Sequence, residues 1–360
     1  MTLEATATPD TMPPPPAAGG ARRLHNISEL RLLFAASVVL SHAATLLGDD
    51  RHRLLRVFLN SEAAVQGFFI LSGYLVCGSY ARLRAPLNFY RRRFLRIYPA
   101  YAAAVVLFIT LALVQATSQG TNVTWSQLPR YVVANLAALN FLQPTIDGLF
   151  ASNAMTAVNG ALWSIKVELM FYAVLPLLYW GARRTSFFLV SLLLVAGGVL
   201  WWPALHGAGV WMGHAIPVSM KFQLPGQIHF FGLGMALFAV SAGAMSRAGL
   251  VTVGASAIGL LLFLGESGDA LHVAVLVVLV GGMSWLPQVR DVFAGQDISF
   301  GIYLCHFPII QMLLAGGAGE WPFELYLATV VVLAVAYGLA SWRWIERPAL
   351  TLSRGRGTGA

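Results

Sequence analysis

Ten apolar stretches, near residues 30–47, 62–80, 98–116, 161–180, 186–203, 223–241, 249–265, 270–287, 297–316 and 323–343, make up most of this chain. Each approaches the roughly 20 residues that an α-helix needs to cross a hydrocarbon core about 30 Å thick. Lipid offers no water to satisfy peptide N–H and C=O groups, so a spanning segment must close its own hydrogen bonds as a helix or join a closed barrel. Stretches of this length predict an all-α integral membrane protein, a bundle of about ten transmembrane helices. Composition agrees: 58% of residues are hydrophobic, 11% are charged and the mean hydropathy is +0.70, far more apolar than a soluble domain requires. Segments 186–203 and 249–265 are Gly-rich or short, and the orientation of everything between them depends on both crossing.

Arginine and lysine placement sets the orientation, because cytoplasmic loops and helix ends carry the excess. With the N-terminus inside, one face holds Arg22, Arg23, Arg31, Arg82, Arg84, Arg91, Arg92, Arg93, Arg96, Arg183, Arg184, Arg247, Arg290, Arg343, Arg347, Arg354 and Arg356. The other holds Arg51, Arg53, Arg56, Arg130 and Lys221. This asymmetry places both termini in the cytoplasm. It also accounts for the +8 net charge without a nucleic-acid partner, since the anionic inner leaflet attracts such a face. Residues 1–26, with the run Pro13-Pro14-Pro15-Pro16, read as a disordered Pro-rich tail. A membrane domain spans 27–348 and a short cytoplasmic tail follows at 349–360. Cys77 and Cys305 lie inside apolar segments, with no spacing that suggests a metal site or disulfide framework.

Polar groups inside such helices are costly and are functional candidates by default. Arg31 and His42, eleven residues apart in the first segment, are separated by about 1100° of helical rotation. They therefore share a face to within about 20°, some 16 Å apart along the axis. A spanning helix would hold a permanent cation at one mouth and an imidazole near mid-depth. Between the second and third segments, Arg93 and Arg96 are i and i+3, neighbours on a helical turn. Guanidinium forks bind phosphate oxygens bidentately, so with Arg31 they suit a polyanionic ligand at the cytoplasmic face. Each arginine also has a simpler reading as a topology anchor.

The fourth segment carries Trp163, Ser164, Lys166, Glu168 and Tyr172. Ser164, Glu168 and Tyr172 follow at i, i+4 and i+8 on one face, while Lys166 points elsewhere and is expected to snorkel to the outer interface. In the ninth segment, Ser299, Tyr303 and His306 form a polar stripe. Pro308 cannot donate to the Leu304 carbonyl, so a freed acceptor is expected beside His306. The second segment contains Gln66-Gly67-Phe68-Phe69-Ile70-Leu71-Ser72-Gly73-Tyr74. Its small pair Ser72-Gly73 serves either close helix packing or room for a ligand arm.

In order along the chain, Arg31 through His42, Phe68-Phe69-Ile70-Leu71-Ser72-Gly73-Tyr74, Arg93-Phe94-Leu95-Arg96-Ile97-Tyr98-Pro99, Trp163-Ser164 through Glu168 with Phe171-Tyr172, Ser299 through Pro308 and Trp344-Ile345-Glu346-Arg347-Pro348 resemble the membrane-bound acyltransferase family 3. The resemblance runs from about residue 27 to 348. Each motif is weak singly, and the ordered set is specific. One departure is Gln66-Gly67, where the family often has an acidic residue before the Phe-Phe pair; Glu62 lies one turn away. No esterase-like domain is expected after residue 348, so the chain resembles the stand-alone form.

The resemblance implies an O-acyltransferase of the bacterial cytoplasmic membrane that moves acyl groups, usually acetyl, from coenzyme A to hydroxyls. Arg31, Arg93 and Arg96 would hold the phosphates of acetyl-CoA or another acyl-CoA, and the pantetheine arm would run between helices toward His42. His42 would act as general base, with Glu168, or else His306, assisting it. Ser72, Gly73, Tyr74, Trp163, Ser164, Tyr172, Ser299, Tyr303 and His306 would support the site or contact substrate; no metal is called for. The expected acceptor is an extracytoplasmic or lipid-linked glycan, met by Trp125, Tyr131, Asn135, Asn140, Asp147 and Asn153 of the loop 117–160 and by His206, Trp211 and His214. A small secondary metabolite is the alternative acceptor. Membrane lipid and a second copy of the chain are the other expected partners. The rival class is a proton-coupled transporter, since intramembrane His and Glu also suit a carrier, although no inverted repeat relates 27–180 to 186–348.

Overall fold

The computed structural model describes residues 26–48, 60–83, 85–285, 287, 293 and 295–354. The Pro-rich tail expected at 1–26 lies outside them except for Asn26, as do residues 355–360. Among the described residues the chain is all-helical, with no strand. Twelve α-helices follow in order: α1 Ile27–Leu46, α2 Ser61–Leu83, α3 Pro86–Ser118, α4 Leu128–Leu136, α5 Trp163–Arg184, α6 Phe187–Trp211, α7 Leu224–Ser241, α8 Arg247–Phe263, α9 Ser267–Trp285, α10 Ser299–Ala315, α11 Phe323–Ser341 and α12 Arg347–Arg354. A π-helical turn, Trp342–Glu346, joins the last two.

Every apolar segment of the sequence is helical. Seven helices are long and apolar enough to cross a membrane, namely α1, α2, α3, α5, α6, α7 and the run from α11 through α12; α8, α9 and α10 are apolar but shorter. The side chains left exposed around the bundle include Leu107, Val114, Leu177, Leu193, Val251, Val278 and Val332, a surface suited to lipid.

The third helix differs from the sequence expectation. It begins at Pro86, not near 98, and runs for 33 residues, about 50 Å at 1.5 Å per residue. Pro86 occupies the first helical turn, where a missing N–H costs nothing. Arginine is a good helix former, so Arg91, Arg92, Arg93 and Arg96 ride on the helix instead of a loop. The bounds of α1 also move His42: it lies four residues from the end at Leu46, about 6 Å, nearer the far end than mid-depth.

Glycine contacts fix two helix crossings. A Cβ on Gly73 would lie 2.5 Å from the Phe231 carbonyl oxygen and 3.0 Å from the Gly234 Cα, so α2 and α7 meet backbone to backbone. A Cβ on Gly301 would lie 2.8 Å from the Gly338 Cα, which sets α10 against α11 in the same way. Close approach through small residues is how helices gain contact area where lipid competes for apolar surface. Further contacts between α1 and α2, and between α1 and α10, bring the polar positions of separate helices together.

The contacts also group the helix ends. Arg31 of α1 and Arg96 of α3 meet Asp297, which precedes α10, and Arg96 meets Glu346 beyond α11. Far along the same helices, Gln115 of α3 and Gln119, just past its end, donate to the carbonyls of Met312 and Ala315 in α10, at 2.8 and 3.1 Å. Lys221, before α7, pairs with Asp269 of α9 at 2.9 Å.

Candidate active site

A partly open cavity of about 80 Å³ lies between α1, α2, α3, α5 and α10. Its basic end is lined by Arg31, Arg93 and Arg96. Ser72, Glu168 and Tyr172 stand on its walls, with Phe68, Ser164, Ser299 and Tyr303 completing the polar and aromatic lining. Nine of the site residues expected from the sequence, Arg93 among them, therefore share one space, although they come from five helices.

The three arginines differ in how far they are committed. Asp297 Oδ2 accepts from both Arg31 Nη1 and Arg96 Nη2, the latter at 2.6 Å. Ser299 Oγ donates to the other carboxylate oxygen at 2.6 Å. Arg96 also reaches Glu346 Oε2 at 3.4 Å, and its guanidinium lies over the Trp342 ring. Glu346 is 1% exposed and takes a second bond from Ser341 Oγ at 2.9 Å. Arg96 is thus occupied at both terminal nitrogens. Arg93 bonds Ser79 Oγ at 3.4 Å and lies 5.9 Å from the centre of the Tyr172 ring, and its buried Nε has no partner among the described residues. A buried donor left without an acceptor is costly, and this one stands on the cavity wall. Spacing alone assigns Asp297 and Glu346 no role; the available signal was an acid at the arginine-bearing face, two residues before Ser299 in one case and inside the Trp344–Pro348 run in the other.

Midway along the cavity, Glu168 Oε1 accepts from Ser72 Oγ at 2.8 Å and from the Tyr172 hydroxyl. Residues 168 and 172, one turn apart on α5, form the predicted stripe, and Ser72 closes it from α2. The Ser72-Gly73 pair thus serves both readings: Gly73 packs helices and Ser72 faces the cavity. Tyr74 turns toward Phe238 of α7, with ring centres 6.5 Å apart. Trp163 packs between Phe69 and Phe222. Ser164 Oγ and the Tyr303 hydroxyl are 2.6 Å apart, and the tyrosine also reaches the Ala161 carbonyl at 2.9 Å.

One turn beyond Tyr303, His306 is fully buried and its Nε2 lies 2.8 Å from His42 Nδ1. His306 Nδ1 in turn lies 2.8 Å from the Tyr303 carbonyl oxygen. The neighbour of His42 in the structure is therefore His306; the hydrogen bonds of Glu168 go to Ser72 and Tyr172. Phe307 closes edge-on against the His42 ring, centres 5.6 Å apart. The acceptor freed by Pro308 is satisfied as well: Asn159 Nδ2 donates to the Leu304 carbonyl at 2.9 Å, tying the entry of α5 to the His306 turn.

The two-histidine chain has a definite sense. A carbonyl oxygen only accepts, so His306 Nδ1 carries the proton toward Tyr303. In a neutral ring Nε2 of His306 is then the acceptor, and His42 Nδ1–H donates to it. His42 Nε2 is left with an open lone pair. That is the form of imidazole which takes a proton from a hydroxyl.

Several expectations for the opposite end change. Lys166 does not snorkel outward: it is 8% exposed, donates to Gln223 Oε1 at 2.6 Å and lies over the Phe141 ring. Tyr131, Asn135 and Asn140 are buried. Asn135 serves the carbonyls of Tyr131 and Gln143, Asn153 bonds Gln311 and Asp147 bonds Gln127. The bonds of Asn135 and Asp147 stitch the 117–160 segment together, and those of Asn153 tie it to α10. Trp125 and Trp211 remain exposed.

Comparison with known proteins gives the class of the chain. Residues 24–341 match the acyltransferase family 3, described as an acyltransferase domain. The chain is similar to the Nodulation protein 10 of Rhizobium leguminosarum bv. viciae, with 29% identity over 91% of this chain and 94% of that protein. It is also similar to the O-acetyl transferase of Shigella phage Sf6, 25% identical over 90% and 95% of the two chains. The Exopolysaccharide production protein ExoZ of Rhizobium meliloti (strain 1021) is 25% identical, over 83% and 92%. No solved structure matches the chain significantly. The chain belongs to the acyltransferase family 3: it is an integral membrane acyltransferase, and the carrier reading of the sequence gives way to that class.

Proposed function

We propose that this protein moves an acetyl group from acetyl-CoA to a hydroxyl of a glycan, with His42 as general base. The observation that carries the reading is the hydrogen-bond chain from the Tyr303 carbonyl through His306 to His42, which leaves His42 Nε2 unprotonated and held in place. The family supplies the acyl transfer. The relatives named as an O-acetyl transferase and an exopolysaccharide production protein support a hydroxyl acceptor on a polysaccharide.

Phosphates of the donor would enter at the arginine end. Arg93 is the best placed to receive them, because its Nε has no partner among the described residues; Arg31 has donors left beside its Asp297 bond. Arg96, held by Asp297 and Glu346, fixes the geometry of the other two. The thioester then lies further along the cavity toward Tyr303 and the histidine pair. The acceptor hydroxyl gives its proton to His42 Nε2 as its oxygen forms a bond to the thioester carbonyl carbon. The tetrahedral intermediate expels the thiolate, and His42 returns the proton to sulfur, so ester and free thiol are the only products. His306 keeps the His42 ring in the reactive tautomer, as a second group does in other base-assisted acyl transfers.

The arrangement of the ends supports ten crossings with both termini in the cytoplasm of a bacterial inner membrane. Arg31, Arg96, Asp297 and Glu346 meet at one end, and Lys221 pairs with Asp269 at the other, as an alternating path requires. Donor entry at the arginine face then means entry from the cytoplasm. The test is deletion of the protein in its host, with surface and secreted glycans compared by mass. Loss of an acetyl increment, restored by the wild-type chain, supports the reading; unchanged glycans with a lost small-molecule ester would move the acceptor class.

A further inference from the structure

A second polar cluster lies at the end of α2 remote from the arginines. Ser79, which bonds Arg93, marks the arginine end of α2; Glu62 is seventeen residues earlier, about 26 Å along the axis. Around it, Gln66 Nε2 donates to Glu62 Oε1 at 3.3 Å, and Asn60 Nδ2 lies 3.4 Å from His272 Nε2. Lys221 pairs with Asp269 at 2.9 Å, and Gln227 Nε2 donates to the Lys221 carbonyl at 3.2 Å. The bond from Asn60 to His272, the Lys221 pair with Asp269 and the contacts of α2 with α7 and α9 bring these elements together at one end.

Among the described residues, two acceptors of the cluster lack donors: Gln66 and Gln227 are 3% and 2% exposed, yet the Oε1 of each is buried without a hydrogen-bond partner. Each glutamine already spends its amide nitrogen inside the cluster, so its oxygen, on the same carbon, lies there too. An unpaired buried acceptor costs about 1–3 kcal/mol, and among the described residues the carboxylates of Glu62 and Asp269 add further acceptor capacity beside the ammonium of Lys221. What fits such a place is a molecule rich in O–H donors.

We propose that this cluster is a binding subsite for the hydroxyl-rich acceptor, a sugar unit whose O–H groups donate to Gln66, Gln227 and Glu62. The inference rests on the acyl-transfer reading above. Position favours it. Val65, adjacent to Gln66, lines the donor cavity with Phe68 and Phe69, and His42 lies near the end of α1, which packs on both α2 and α9. A glycan seated here approaches the histidine pair from the side opposite the donor phosphates.

The test uses the full chain in proteoliposomes, labelled acetyl-CoA, and surface glycan purified from a strain lacking the protein. Gln66→Leu and Gln227→Leu each remove the unpaired oxygen at nearly constant volume, and with it the amide donor to Glu62 Oε1 or to the Lys221 carbonyl, so Tm in detergent is recorded beside the kinetics. Each should raise the glycan KM about fivefold, the value of one lost hydrogen bond, with the acetyl-CoA KM unchanged within twofold. Glu62→Gln, at the half-buried helix end, gives a folded third variant and should also raise the glycan KM. If all three keep the wild-type glycan KM, the oxygens hold only water and the subsite is refuted. If the wild-type protein itself transfers no acetyl group to the glycan, the acyl-transfer reading fails instead, and the subsite falls with it.

Discussion

His42 Nδ1 and His306 Nε2 are 2.8 Å apart, with ring planes within 8° of each other. The bond joins the first apolar segment of the chain to the ninth and orients the proposed base, which neither segment orients alone. His306→Ala should leave His42 free to rotate and to change tautomer, lowering kcat about a hundredfold, at the low end for a positioned proton-transfer group, with the acetyl-CoA KM unchanged. His306→Asn, which keeps a hydrogen-bonding atom near the same place, should recover part of the rate. Steady-state kinetics of the purified variants check this.

The arginines should separate by donor. Arg93→Ala removes charge-assisted bonds worth about 1.5–3 kcal/mol, so the KM for acetyl-CoA should rise about ten- to a hundredfold. The KM for S-acetylpantetheine, which lacks the nucleotide, should hardly move. Equal rises with both donors would remove Arg93 from phosphate binding.

Arg96 and Asp297 should behave as parts of the fold. Removing one partner of a largely buried ion pair strands the other, at a cost of about 3–5 kcal/mol. Asp297→Ala leaves Arg31 and Arg96 without their shared carboxylate and should lower Tm markedly. The double variant Asp297→Ala/Arg96→Met should recover part of the loss, a non-additivity that a thermal melt in detergent reads directly.

Ser72 and Gly73 are adjacent but should respond differently. Gly73→Val drives a side chain into the Phe231 carbonyl and the Gly234 backbone, and overpacking of this kind costs about 1–3 kcal/mol or more. Ser72→Ala should leave Tm within a degree or two while depriving Glu168 of one of its two donors and slowing turnover.

These contrasts mark where the sequence is legible. Helix periodicity is regular, so the shared face of Arg31 and His42, and the stripe of Ser164, Glu168 and Tyr172, follow from spacing alone. The freed Leu304 carbonyl follows from Pro308, although its donor, Asn159, does not. Partnerships between distant helices are not periodic. Nothing local says that His306 meets His42 while Glu168 meets Ser72, or that Asp297 and Glu346 neutralise the arginines. The start of α3 is hidden for another reason: arginines depress hydropathy without opposing a helix, so a hydropathy boundary at 98 conceals a helix that begins at Pro86. Amides in the 117–160 segment suggest sugar binding by composition, and only packing shows that Asn135 and Asn153 are spent on backbone and side-chain partners.

The most direct measurement of the central claim is acetyl transfer by purified His42→Ala in proteoliposomes, with labelled acetyl-CoA, glycan from the deletion strain, and acetyl-CoA binding measured in parallel. The expected result is full donor binding with no label on the glycan. Transfer by His42→Ala at the wild-type rate would contradict the account.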